Sequence, residues 1–292
     1  MLFRSLEETY RSNRFTNFGA LSLRLEALLA DQWGTPGSAC VLASSCTAAL
    51  AAPLIANHIT GKVILPAFTF PATLSAIRMA GATPVLIDVQ PGDWRVSAAD
   101  LDRAFAGTGA RAAIVLCPFG FRSHFTEHAR VAAARSALLI IDNAAGLGVT
   151  RNHLELSPHV FEAYSLHATK PFGIGVGGAV FAHQSSVNAL RRALNFGLPM
   201  ECPAEPPFWG INGKMSEFQA AVGLAVAAGF SRRLEARRAM AARYAGALNA
   251  FPEVTCGVKP EDSAWQFFPI LFPDDSSAAM FAQETLRLGM EI

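Results

Sequence analysis

Short apolar runs alternate with longer amphipathic stretches through the first half of the chain. ACVLAS, KVILP, PVLIDV, RAAIVLC and ALLIID are the runs. Each is the length of a strand, and near-continuous apolar character marks a strand buried on both faces. Between them lie segments with helical spacing. Residues 22–33 read as an amphipathic helix, as do CTAALAAPLIANHI, FPATLSAIRMAGA, SAADLDRAFAG with Ser97 placed as its N-cap, and a stretch near residues 126–136. Strand and helix in alternation predict an α/β fold, a mostly parallel central sheet covered by helices on both faces to make three layers.

After Asp142 the rhythm changes. EAYSLH and AVFA read as strands flanking ATKPFGIGVGG, and a helix follows over residues 185–195. The Pro-rich LPMECPAEPPFWG reads as a loop, residues 213–249 as two consecutive helices, WQFFPILF as a strand and SSAAMFAQETLRLG as a helix. This divides the chain into a large domain, residues 1–245, and the start of a small C-terminal α+β domain, residues 246–292, which the sequence leaves incomplete.

Composition adds an expectation about assembly. Hydrophobic residues are 51% and charged residues 16% of the 292, against roughly 25% charged in an average soluble protein. Low charge over this length points to apolar surface covered by a second copy, a homodimer by symmetry. A net charge of +1 gives no bulk attraction to nucleic acid or to acidic membranes. The longest apolar stretches are too short to span a bilayer and the N-terminus lacks a signal-peptide core, so the expected location is cytoplasmic. Five scattered cysteines without CxxC suggest reduced thiols and no zinc ribbon. His124 and His128 lack the company of a metal set, and no metal is expected.

Three features fall where strands end, the place where open α/β sheets bind ligands. SSCTAAL, residues 44–50, joins a strand to a helix; it is either an ordinary N-cap or an anion seat. Asp142 closes ALLIID; a carboxylate there caps a loop or meets a partner such as a pyridinium N–H. Lys170 lies among small residues between two strands, where burial favours a neutral, nucleophilic amine. Gly173, Gly175 and Gly178 form G-x-G-x-x-G. The dinucleotide reading fails, because the motif leads into a strand rather than a helix and no acidic residue lies about 20 residues on. His167 suits either substrate contact or packing, and Arg191 and Arg192 read as a solvated helix face.

The order of these features resembles fold-type I enzymes dependent on pyridoxal 5′-phosphate. More closely, it resembles the DegT/DnrJ/EryC1/StrS family of sugar aminotransferases. PAFTFPATLSAIRMAGATPVLIDVQP, SLHATK and INGKMSEFQAAVGL carry the likeness, which extends over nearly the whole chain. The resemblance implies that Lys170 forms the internal aldimine and moves the proton, and that Asp142 keeps the pyridine nitrogen protonated. Phe70 would stack on the ring. Thr47 and Ser165 would hold the phosphate with the backbone around Cys46, and Asn212 would reach the phosphate of a neighbouring subunit, giving shared active sites. The implied reaction passes an amino group from an amino acid, glutamate the expected donor, through pyridoxamine phosphate to a nucleotide-linked ketosugar.

Three positions depart from the family pattern: Cys46 for a glycine, Ala145 for glutamine or histidine, and Val176 for an acidic residue. They motivate an alternative, a catalytically impaired cofactor-binding relative with a binding or regulatory role. Retention of Lys170 and Asp142 weighs against it. A sugar dehydratase is also disfavoured, because the family's dehydratase branch carries histidine in place of that lysine.

Overall fold

A computed structural model describes residues 2–149, 156–198, 208–256 and 263–290. Among the described residues seven strands form one sheet: β1 (Ser38–Ala43), β2 (Lys62–Pro66), β3 (Thr83–Ile87), β4 (Ala112–Leu116), β5 (Leu138–Asp142), β6 (Val160–Ser165) and β7 (Gly178–His183). Their order is β1-β7-β6-β5-β4-β2-β3. Strands β2 to β6 pair in parallel, and β7 runs antiparallel between β1 and β6. The sheet is mostly parallel, as the apolar runs predict.

Alternate residues on each strand feed two separate cores. On β5, Leu139 and Ile141 pack on one face and Leu138 and Ile140 on the other; on β1, Cys40 and Leu42 oppose Val41 and Ala43. Helices α2 (Ala20–Trp33), α5 (Ala98–Thr108), α6 (Thr126–Ala134) and α8 (Glu217–Ala227) contribute to the first core. Helices α3 (Cys46–Ala56), α4 (Pro71–Met79) and α7 (Val187–Leu194) contribute to the second. Three layers result. Ser97 caps α5 by accepting from the Asp100 N–H at 3.0 Å, as the sequence predicts.

The remaining helices are α1 (Leu2–Ser12), α9 (Phe230–Leu248) and α10 (Asp275–Arg287). The polar N-terminus did not suggest α1. Its fully buried positions are Ser5 and Thr9, the Thr9 hydroxyl donating to the Ser5 carbonyl at 3.1 Å, while Leu2 and Leu6 pack only partly buried against the first core. The division at residue 245 falls within the last turn of α9. WQFFPILF is not a strand. Ser263 and Leu271 make isolated bridges to Phe121 and Thr255. Trp265 adopts φ +53°, which breaks an extended run, and Arg237 Nη1 binds its carbonyl at 2.9 Å. Of the Pro-rich loop, residues 199–207 lie outside the described residues, Cys202 among them. The other four cysteines are free thiols.

Arg191 and Arg192 do not form a solvated face. Arg191 is paired at 2.5 Å with the buried Glu26, and Arg192 lies 4.8 Å from the centre of the Phe208 ring. Among the described residues no helix is long and apolar enough to cross a membrane.

Candidate active site

The carboxyl ends of β1, β2, β4, β5 and β6 open on one cavity of about 580 Å³, within the size range of small-molecule sites. Cys46, Thr47, Phe70, Asp142, Ser165 and Lys170 all line it, and so does His167. Asn212 does not. Its side chain accepts from Lys214 Nζ at 3.0 Å on the exposed turn before α8.

The seat for an anion is built by α3. Ser45 is its N-cap, and its hydroxyl accepts from the Ala48 N–H at 3.1 Å. The Ala49 N–H binds the Ser45 carbonyl. Of the four amides that a helix start leaves over, the cap takes that of Ala48, and those of Cys46 and Thr47 are among the three left for a ligand. Ser165, last residue of β6, stands beside them on the cavity wall. The approach of β7 to this turn requires a glycine: a Cβ on Gly178 would lie 2.3 Å from the Ser45 carbonyl oxygen.

Asp142 is almost fully buried at the end of β5. Thr73 Oγ1 donates to its Oδ2 at 2.7 Å, and the Ala144 N–H donates to Oδ1 at 3.2 Å. Thr69 Oγ1 lies 2.8 Å from Thr73 Oγ1. Because Thr73 gives its proton to the carboxylate, Thr69 must be the donor in that pair, and the two hydroxyls form a relay. Burial raises the Asp142 carboxyl above the usual carboxylate range; Thr73, the Ala144 amide and the Lys170 ammonium oppose that rise. Thr73 and Thr69 are site residues that the sequence reading missed. Their signal is present in FTFPAT, two threonines four apart, one just before the start of α4 and one in its first turn.

Lys170 sits at the tip of the β6–β7 connection. The hairpin is stitched by the Leu166 N–H to the Gly177 carbonyl at 2.9 Å and the Ala168 N–H to the Gly175 carbonyl at 2.8 Å. Gly175 has φ +100°, which favours glycine. The glycine motif is thus a turn device leading into β7, in agreement with rejection of the dinucleotide reading. Burial lowers the Lys170 ammonium from its usual range, while Cys46 and Asp142 pull the other way. A half-buried lysine shifted toward its neutral form can attack a carbonyl carbon.

An aromatic wall closes the other side. Phe70, highly exposed, and Phe68 project from the segment before α4. Phe119 lies 6.0 Å from Phe68, and Phe267 lies 6.0 Å from Phe119. Lys170 Nζ is 5.8 Å from the Phe267 ring centre. Phe267 and Gln266 come from the C-terminal segment, and nothing in the local sequence marks them as cavity residues. The three departures, Cys46, Ala145 and Val176, all line this cavity.

Among curated proteins, the chain is 30% identical over 264 residues to Protein Rv3402c of Mycobacterium tuberculosis, covering 87% of this chain and 62% of that protein. The chain therefore spans under two thirds of that relative's length. It is 27% identical over 274 residues to a dTDP-4-amino-4,6-dideoxy-D-glucose transaminase of Escherichia coli, covering 92% of this chain and 72% of that one. Among solved structures, DesI with its TDP-sugar product superposes with a TM-score of 0.86 at 27% identity, covering 98% of this chain and 73% of DesI. A DegT DnrJ EryC1 StrS aminotransferase from Brucella abortus superposes at 0.81 with 26% identity, covering 97% and 78%. The family's sequence model matches residues 2–287, and the chain belongs to the DegT/DnrJ/EryC1/StrS aminotransferase family.

Proposed function

We propose that this chain is a pyridoxal-phosphate-dependent aminotransferase that passes an amino group from an amino acid, glutamate the expected donor, to a nucleotide-linked ketosugar. The observation that carries the reading is the meeting of Lys170, Asp142 and the open amides of α3 on one cavity. The residues fit the cofactor. A carboxylate faces the cavity from the end of β5, an amine shifted toward neutrality stands near it, and a helix start offers N–H groups to a phosphate. When bound, pyridoxal phosphate supplies a carbonyl carbon and an electron-accepting ring.

In this reading Lys170 would hold the cofactor through its amine, and the same amine would be the group that takes up and returns a proton at the substrate carbon. Asp142 keeps the ring nitrogen protonated. Phe70 would pack on the ring, and Thr47, Ser165 and the backbone at Cys46 would hold the phosphate. Asn212 serves the site of a second copy. Its own cavity lacks it, and Phe196, Leu198 and Trp209 nearby in sequence expose large apolar surface for a homodimer to cover. The names of the Escherichia coli transaminase and of DesI with its TDP-sugar product support the acceptor class.

Absorption spectroscopy tests the reading. Purified protein given pyridoxal phosphate should gain a visible band that borohydride fixes and Lys170→Ala abolishes. Glutamate should then convert the band to that of the amine form. A wild type that gains no band sinks the proposal. A band unmoved by every amino donor reduces the protein to a cofactor binder.

A further inference from the structure

We infer that Gln266 reads a hydroxyl of the acceptor sugar next to the carbon that receives the amine. The inference rests on the aminotransferase reading above and adds to it a specificity residue and the group it recognises.

Gln266 lines the cavity, and its Oε1 is buried without a hydrogen-bond partner among the described residues. A buried amide oxygen left unpaired is unfavourable, and native structures retain few. The backbone that leads into it is held by hydrogen bonds. The Trp265 N–H donates to Ser263 Oγ at 2.9 Å, Arg237 Nη1 donates to the Trp265 carbonyl at 2.9 Å, and Ser263 bridges to Phe121. The Trp265 ring stacks on Phe268 with centres 5.3 Å apart. Trp265 holds φ +53°, a conformation costly for a tryptophan and the kind that accumulates at ligand sites. Gln266 is therefore presented to the cavity by a fixed frame rather than by a loose strand.

Its position bears on the chemistry. Gln266 and Lys170 line the same cavity, and the residue after Gln266, Phe267, has its ring centre 5.8 Å from Lys170 Nζ, so the segment that carries the amide borders the amine that the proposed reaction uses. The neighbouring walls are Phe68, Phe70, Phe119 and Phe267, which offer faces but no hydrogen bonds. An amide carries both an acceptor and a donor on one planar group, and a hydroxyl is the ligand group that answers both. A carboxylate would meet the unpaired oxygen with like charge. The partner chosen by the geometry is thus a neutral hydroxyl on a polyhydroxylated substrate.

Calorimetric titration tests this with the pyridoxal-phosphate-loaded protein. The probes are dTDP-4-amino-4,6-dideoxy-D-glucose and its counterpart lacking the hydroxyl beside the amino carbon. Wild type should favour the hydroxylated probe by roughly tenfold in Kd, the range of one net hydrogen bond. Gln266→Leu should erase that preference, and Gln266→Glu, which keeps an acceptor, should restore most of it. An undiminished preference in Gln266→Leu overturns the inference, as does equal weakening of both probes, which is what a merely structural role predicts. Failure of wild type to bind either probe overturns it as well. A wild type with no cofactor band at all fails the underlying aminotransferase reading, and the two failures are told apart by that band.

Discussion

Asp142 at the end of β5 and Glu217 at the start of α8 are buried almost equally, at 3% and 2% exposure. Their surroundings differ. Glu217 reaches back to the start of α2, where its carboxylate accepts from the Leu21 N–H at 2.7 Å, the Ser22 N–H at 3.2 Å and the Ser22 hydroxyl. Those are orphan amides of a helix start, which favours negative charge. Gly19 leaves the room: a Cβ there would lie 2.6 Å from Glu217 Cδ. Asp142 receives one hydroxyl and one amide and faces a cavity. A carboxylate whose donors all come from the chain is a structural clamp. A carboxylate only partly supplied, and open on one side, is prepared for a partner from outside.

The contrast breaks most sharply under amide substitution. Asp142→Asn should lower transamination by about 100- to 1000-fold, the scale of losing one placed electrostatic partner, with no fall in melting temperature. Steady-state rates and a thermal melt measure both, and activity within a few-fold of wild type would reverse the assignment. Glu217→Ala should do the opposite. It should cost about 2 kcal/mol or more in urea denaturation by leaving buried N–H groups unpaired, while the folded fraction keeps its cofactor band.

Smaller changes sharpen the comparison. Thr73→Val removes the hydroxyl on Asp142 and should cost about 1 kcal/mol of stability. It also removes the largest influence holding the Asp142 carboxyl down, so the acid limb of the pH–rate profile should move to higher pH. The sign for stability follows from the raised native value. The folded chain keeps the Asp142 proton to higher pH than the unfolded chain does. Stability from this group therefore falls as pH rises from the ordinary carboxylate value through the native one, and Asp142→Asn should flatten that part of the curve. Ser45→Ala, which uncaps α3, should cost about 1 kcal/mol and loosen cofactor retention, read as a higher Kd for pyridoxal phosphate.

Much of the architecture was legible in the chain because its physics is local. Strands covered on both faces read as near-continuous apolar runs, and five were visible that way, with EAYSLH and AVFA read as strands flanking the glycine-rich segment. Asp142 and Lys170 stood out because a carboxylate at the end of a buried strand needs a partner, a loop cap or a ligand, and a lysine among small residues is poorly explained as surface decoration. The failures share a cause. α1 hides because its fully buried positions are the polar Ser5 and Thr9, with Leu2 and Leu6 only partly buried beside them. Arg191 looked solvated because Glu26, its partner, lies on a distant helix. WQFFPILF has strand composition, yet Arg237 and Ser263 hold its backbone in another shape.

The sequence by itself determined the alternation of strand and helix, the three-layer fold, and the residue types that carry the proposed chemistry, since each depends on neighbours within one element or one turn. Tertiary structure alone decided which groups meet. It set the Thr69–Thr73 relay against Asp142, placed Phe267 near Lys170, brought Gln266, Cys46, Ala145 and Val176 onto the same cavity, and left Asn212 outside it. Those contacts join segments far apart in the chain. Their free energy comes from burial and from pairing polar groups that only the closed sheet brings within reach.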